Sequence, residues 1–237
     1  MRVIALETSE RIGSVALLDA QGGEANSGKV NIVHSQTLPD DQRSAQSLLP
    51  AITELLTECG WRADELDLIC VTTGPGSFTG LRIGVTVAKT LAYAAGAKLV
   101  GVPTLSAMAA GVPTTGARLW AILDAQRQEL FTASFAKGGL AAAMGDAEIS
   151  VVGIVPWIQQ LQPGDTVVGP PLKKLTERLP VGIEVVDEPL WAPQAAWIGQ
   201  LGIESYRSGK SDEPMQLVPQ YYRKSAAEEK ADAAVGR

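Results

Sequence analysis

Histidine is nearly absent from this 237-residue chain, and His34 is its one example. A zinc site built from histidines is therefore excluded, as is an HExxH metalloprotease. No Ser/His/Asp or Cys/His arrangement can be assembled away from His34, which falls on an expected strand and reads as structural. Cysteine is scarce too. Cys59 and Cys70 form no CxxC pair, which suits buried thiols in a reducing compartment and not a disulfide framework. A basic surplus is missing: 20 Lys and Arg against 26 Asp and Glu leave a net charge of −6, so unaided grip on nucleic-acid phosphates is not expected. The short cluster Lys173, Lys174 and Arg178 reads as a solvated helix face. Long apolar runs are also lacking. After Met1 and Arg2 the first run lasts only from Val3 to Leu6 before Glu7, so no signal peptide or spanning helix is expected, and the expected location is cytoplasmic with no membrane partner. Aromatic residues make up only 5%, so the core must be built from Ala, Val, Leu and Ile.

What is present reads as α/β. Arg2 to Leu6, Ile12 to Leu18 and Asn31 to Leu38 are expected strands of an antiparallel meander, with turns at Glu7 to Arg11 and Asp19 to Gly23. A helix is expected from about Gln42 to Cys59, where Leu48, Leu49, Ile52, Leu55, Leu56 and Cys59 recur at helical spacing; Pro50 should kink it or mark its first turn. Leu68 to Thr73 is a continuous apolar strand suited to a buried parallel position. A helix from about Phe78 to Ala95 comes next, stopped by Gly96. Lys98 to Val102 is a further strand, ended by Pro103, and Thr104 is expected to cap a short helix through Ala110. Gly111 to Gly116 is the best linker candidate.

Beyond that linker the opening plan recurs. Arg118 to Leu123 is an expected strand running into Asp124, and a polar turn leads to a second strand, Leu130 to Phe135. Arginine, apolar strand, acidic residue, polar turn and strand also describe Arg2 to Leu18, with Glu7 as the acid. This favours a duplicated architecture. Residues 138–145 read as a loop or reduced insertion. Val155 to Leu161, Leu172 to Leu179 and Pro193 to Tyr206 read as helices, Thr166 to Val168 and Ile183 to Val186 as short strands. The tail from Ser225 is expected to fray.

Gly74-Pro75-Gly76-Ser77-Phe78-Thr79-Gly80-Leu81-Arg82-Ile83-Gly84 joins a strand to a helix. Such a loop can offer backbone N–H groups to a phosphate. It is not a Walker A loop, because the Gly-Lys-Ser/Thr ending is missing, and its GxGxxxG spacing makes a poor dinucleotide fingerprint. In the helix, Gly76, Gly80, Gly84, Ala88, Ala92 and Gly96 fall four residues apart, a ridge that lets another backbone come close. The remaining faces are largely apolar, so the helix must be covered on more than one side, either by the same chain or by a partner. On the partner reading, Gly84→Leu abolishes complex formation and leaves a soluble fold.

At this loop the sequence resembles the TsaB/YeaZ family, whose string is GPGSFTGxRIG. Ile4 to Thr8, Ser14 to Leu17, Ser47 to Pro50, Gly101 to Leu105, Ala121 to Asp124 with Glu129, and Pro219 to Arg223 extend the resemblance along the chain. It departs from the family at Glu7, where Asp is common, at Gln126, where Asp-Ala-Arg is usual, and at Ser44 to Gln46, where a histidine often stands. The resemblance implies a duplicated actin-like fold: an N-terminal subdomain over 1–110 with partner-binding helices, a reduced C-terminal subdomain over 111–224 and a frayed tail over 225–237. It implies a non-catalytic subunit supporting a TsaD-like catalytic subunit in threonylcarbamoyl transfer to the adenosine beside the anticodon of tRNA, with a TsaE-like ATPase joining them. Alone, the chain would be a homodimer, and tRNA contact would be indirect or minor. The partner contact would fall on Leu48, Ile52, Leu55, Phe78, Thr79, Gly80, Leu81, Arg82, Ile83, Gly84, Val87 and Ala88. No catalytic residue, no metal and no required cofactor is implied. Weak ATP or ADP binding, at the complex or in a vestigial cleft near Glu7, Thr8, Ser9, Gly74, Gly76 and Asp124, is left open. The competing reading is an ATP-dependent phosphotransferase of the actin-like superfamily, with Glu7 or Asp124 holding magnesium through water.

Overall fold

The structure of the chain is a computed structural model, which describes every residue except 22–27, 43, 114–117, 137, 146 and 224–237. Three strands open it, β1 (Arg2–Glu7), β2 (Ser14–Ala20) and β3 (Val30–Thr37). Helix α1 (Ser44–Glu58) leads to β4 (Leu68–Gly74), α2 (Phe78–Ala95), β5 (Lys98–Pro103) and α3 (Thr104–Ala110). The second half holds β6 (Leu119–Gln126), β7 (Glu129–Phe135), α4 (Leu140–Ala143), β8 (Ser150–Gly153), α5 (Ile154–Gln160), β9 (Thr166–Val168), α6 (Leu172–Leu175), β10 (Glu184–Val185) and α7 (Ala195–Arg207).

The strands form two five-stranded mixed sheets, ordered β3-β2-β1-β4-β5 and β10-β9-β6-β7-β8. Each has a central strand antiparallel to its hairpin partner and parallel to the strand on its other side: β1 with β2 and β4, β6 with β7 and β9. Read from opposite ends, the two orders are the same topology, so the fold is a duplicated actin-like α/β architecture.

Strand alternation explains the layers. Val3 and Ala5 of β1 face a core that also takes Leu119, Ala121 and Leu123 of β6 with residues of α3 and α7. Ile4 and Leu6 face the opposite side, against Leu48, Ile52 and Leu55 of α1 and Val85 and Ala88 of α2. A third cluster lies beyond the second sheet, where Trp120 and Ile122 meet Trp157, Leu172 and Leu175. Because both faces of β1 are covered, the strand reads as an unbroken apolar run. Helix α7 packs on β1, β2, β4 and β5, so a helix from the far end of the chain covers the first sheet.

Several expectations need adjustment. Pro50 lies inside α1, which begins at Ser44. The stretch 138–145 contains α4, and β8 was not anticipated, being four residues at a sheet edge. The helix expected from Leu172 to Leu179 ends as α6 at Leu175 and tightens into a 3-10 turn over Thr176–Arg178. There the Thr176 hydroxyl donates to the Leu172 carbonyl at 2.7 Å, and a back-bond of this kind bends a helix. Part of the linker candidate, the Gly22-Gly23 turn and the tail from Ser225 lie outside the described residues. Among those described, no helix is long and apolar enough to cross a membrane.

Candidate functional site

The two hairpin turns and the glycine loop converge on one cleft of about 480 Å³ between the halves. Ser9, Glu10 and Arg11 come from the first turn, Pro75 to Phe78 from the loop, and Asp124 to Arg127 with Phe131 from the second hairpin. Gln220, Tyr221, Tyr222 and Arg223 close it from the C-terminal segment.

In the first turn the Glu7 carboxylate accepts the Ser9 N–H at 2.6 Å and the Ser9 hydroxyl at 2.5 Å. The side chain is wholly buried, and its second oxygen finds no partner among the described residues. Burial outweighs the Ser9 bonds and pushes the Glu7 carboxyl up to about 8, so it is protonated near neutrality. Glu10, at the cleft wall, is raised to about 7 by burial and then by the charge of Asp124.

The glycine loop is a packing device. Ser77 N–H donates to the Ser9 carbonyl at 2.6 Å, and the Ser77 hydroxyl caps α2 by accepting the Gly80 N–H at 3.2 Å. Two of the loop's donors are thus used within the chain. The ridge behind them lies on the first turn: a Cβ on Gly76 would stand 2.4 Å from the Ser9 carbonyl oxygen, on Gly80 2.0 Å from that of Thr8, and on Gly84 2.1 Å from Thr8 Oγ1. Only residues without a side chain allow this approach. At Gly76, Gly80 and Gly84 the ridge is therefore covered by this chain's own β1–β2 turn, while a Cβ on Gly96 at its far end would meet nothing within 4 Å. The reading of Gly84→Leu as a soluble variant blind only to its partner is corrected. The added side chain would strike Thr8.

The expected partner contacts divide accordingly. Leu48, Ile52, Leu55, Gly80, Leu81, Gly84 and Ala88 are buried in the first half's own core, because α1 and α2 turn these faces onto the sheet. Phe78, Thr79, Arg82, Ile83 and Val87 reach the surface at least in part. Of the expected nucleotide residues, Ser9, Gly76 and Asp124 line the cleft. Glu7, Thr8 and Gly74 do not: Glu7 and Thr8 are wholly buried, Thr8 against the glycines of α2, and Gly74 lies beneath the Gln220 carbonyl. A magnesium ion held through Glu7 does not fit this arrangement, and among the described residues no group of three or more His, Cys, Asp or Glu side chains could hold a metal.

Asp124 is exposed. Its carboxylate accepts the Gln126 N–H at 2.7 Å and faces a turn in which Gln126, Arg127 and Gln128 all have positive φ, at 65°, 53° and 64°. Such conformations are costly for residues other than glycine and persist only where neighbours hold them. His34 lies elsewhere, on the edge strand β3, with Nδ1 3.4 Å from Glu58. The cleft residues not anticipated from the sequence are Glu10, Arg11, Arg127, Phe131 and Gln220 to Arg223. Of these, Gln220 to Arg223 carried a signal, as part of the Pro219 to Arg223 segment of the family resemblance.

Comparison with known proteins agrees with this architecture. The family profile "TsaD: tRNA N6-adenosine threonylcarbamoyltransferase" matches residues 31–169. The chain is 34% identical over 137 residues to the tRNA threonylcarbamoyladenosine biosynthesis protein TsaB of Escherichia coli, covering 57% of this chain and 55% of that protein. The TsaB of Bacillus subtilis is 29% identical over 167 residues, 70% of this chain and 68% of that one. The chain thus spans little more than half of the first relative's length. Among solved structures, YeaZ from Pseudomonas aeruginosa superposes with a TM-score of 0.68 at 25% identity, covering 93% of this chain and 99% of that one. An uncharacterized protein with similarity to peptidase YEAZ, from the same organism, gives 0.70 at 26% identity over 94% and 99%.

Proposed function

The chain belongs to the TsaD family as a member of its TsaB/YeaZ group, and from that premise we propose that it is a non-catalytic subunit of threonylcarbamoyl transfer to tRNA. It binds and supports a TsaD-type catalytic subunit acting on the adenosine beside the anticodon, with a TsaE-type ATPase as the third component. One observation carries the docking assignment: the outward face of α2 is largely uncharged, with Arg82 as its one exposed ion. Its two cations are turned aside onto the C-terminal segment, Arg82 Nε donating to the Tyr221 hydroxyl at 3.0 Å and Lys89 Nζ to the carbonyls of Met215 and Leu217 at 3.4 and 3.2 Å. Thr79, Ile83, Thr86, Val87, Thr90, Tyr93 and Ala94 remain outward and partly or fully exposed. Helix α1, packed beside it, adds exposed Leu49, Pro50 and Thr53. A helical surface so poor in charge suits the core of a protein interface, where charged residues are depleted.

The supporting role rests on the cleft, whose lining holds neither a histidine nor a cysteine to form a nucleophile–base pair. A TsaD-type partner and a second copy of this chain would compete for the same face of α2. Size-exclusion chromatography with the cognate TsaD-type protein tests the assignment. The wild-type chain is expected to co-elute, and Ile83→Glu to weaken the complex at least tenfold while keeping its melting temperature. Absence of a complex with or without nucleotide, and intact tRNA modification after depletion of this chain, would overturn it.

A further inference from the structure

The segment Pro219 to Arg223 is singled out by the sequence and left without a role by the docking assignment. Its approach runs along the first half. Asp212 N–H donates to the Leu99 carbonyl at 2.8 Å, and its carboxylate accepts the Gly101 N–H at 2.7 Å. Gln220 N–H then donates to the Thr73 carbonyl at 2.7 Å, at the end of β4. The Tyr221 ring lies 4.6 Å from that of Phe78, and the Arg82 guanidinium stands 4.0 Å over the Phe78 ring. Both residues are thereby fastened to the first half.

The next two residues are fastened to the second half. The Tyr222 ring meets that of Phe131 on β7 edge-on, at 6.5 Å. The Arg223 guanidinium donates to the Ala125 carbonyl and lies 3.5 Å from that of Gln126. It also pairs with the Glu129 carboxylate at 3.0 Å. These contacts straddle residues 126–128, the turn whose backbone is left-handed. Arg223 bridges the carbonyls entering that turn and the carboxylate leaving it, as an element that holds a costly backbone must.

We propose that Gln220 to Arg223 form a clasp that fixes the separation of the two halves across the cleft and holds the second-half turn in its left-handed form. Four consecutive residues divide their contacts two and two between the halves, and all four line the cleft. A ligand entering the cleft would therefore meet the clasp directly. The Arg223–Glu129 pair is partly exposed, with side chains at 22% and 39%, so salt screens it. The bonds to the carbonyls and the aromatic contacts carry the larger share. The clasp stands whether or not the chain docks on a TsaD-type protein.

Hydrogen–deuterium exchange and small-angle scattering on the full chain test it. Arg223→Ala is expected to speed exchange of the 124–130 amides about tenfold and to enlarge the radius of gyration, with β1 and α7 protected as in wild type. Arg223→Lys, which keeps the charge but loses the fork, is expected to fall between. A folded Arg223→Ala with wild-type exchange at 124–130 and an unchanged scattering profile would overturn the clasp. Should Arg223→Ala not fold, Arg223→Lys and Tyr222→Leu decide: faster exchange confined to 124–130 supports the clasp, and wild-type exchange in both rejects it.

Discussion

Glu7 and Asp124 lie at the ends of the central strands of the two sheets, and each carboxylate accepts the backbone N–H two residues on, at 2.6 and 2.7 Å. The local chemistry is the same, yet one acid is sealed and the other open. The pleat separates them: Glu7 continues the Val3–Ala5 face of β1, inside the core shared with the second sheet, and Asp124 continues the Trp120–Ile122 face of β6. The helix after the neighbouring parallel strand differs as well. Both halves place Gly-Pro after that strand, Gly74-Pro75 and Gly169-Pro170. In the first half the 18-residue α2 comes next and lies on the turn; in the second, α6 lasts four residues. The second turn lacks such a helix, and Asp124 is exposed. A second contrast concerns buried acids. One Glu7 oxygen has no partner among the described residues, and the acid is pushed up. Asp165 is also buried, which pushes it up, but bonds from Arg118, the Gln162 N–H and Trp120 together hold it below the usual carboxylate range. Burial alone does not set the charge of an acid; the supply of donors does.

The largest test attacks the cover. Gly84→Leu is expected to cost about 3 kcal/mol or more, because the side chain must displace Thr8 within a packed turn, and thermal unfolding will read it as a melting point lowered by about 10 °C. A wild-type melting point would break the contrast between the halves.

Next comes the pH dependence. Glu7 titrates higher in the folded chain than in the unfolded one, so its contribution is complete below about 4.5 and is lost as pH rises towards about 8. Stability should fall across that window, with a slope approaching about 1.4 kcal/mol per pH unit for one proton. Glu10, raised to about 7, adds in the same sense. Denaturant titrations of Glu7→Gln should show a flatter profile; an unaltered slope would mean that Glu7 is ionised in the fold.

The smallest effect is expected at Asp165, whose pairing with Arg118 is bidentate, at 3.0 and 2.6 Å. Asp165→Asn should cost about 1 kcal/mol near neutrality, an allowance reduced for the partly exposed arginine. Its sign with pH is opposite to that of Glu7: the wild-type advantage is present above about 4 and shrinks as pH falls through the lowered folded value. An advantage that persists in acid would remove Asp165 from the comparison.

The duplication was legible because Arg2 to Leu18 and Arg118 to Phe135 share one strand–acid–turn–strand plan, and local pattern dictates strands and turns. The ridge on α2 was legible as a demand for close approach, since spacing by four fixes a helix face. What approaches it was not. The answer is Thr8 and Ser9, some seventy residues earlier, and spacing within a helix says nothing of a distant occupant. For the same reason buried Leu48, Ile52 and Leu55 looked like partner contacts: an apolar stripe reads alike whether a sheet or another protein covers it. Glu10 meeting Asp124 across the cleft had no sequence signal at all. Tyr222 and Arg223 had one, but their partners Phe131 and Glu129 lie about ninety residues away.

Helix α7 gives the fold an order in time. The face of the first sheet made by Val3, Ala5, Ala16, Leu18, Cys70 and Val100 shares its core with Ala195, Ile198 and Leu201 of that helix. During synthesis the first sheet's strands leave the ribosome long before this cover does. The first half therefore stays open on one side until the second has been made. A chain stopped at residue 194 exposes that apolar face.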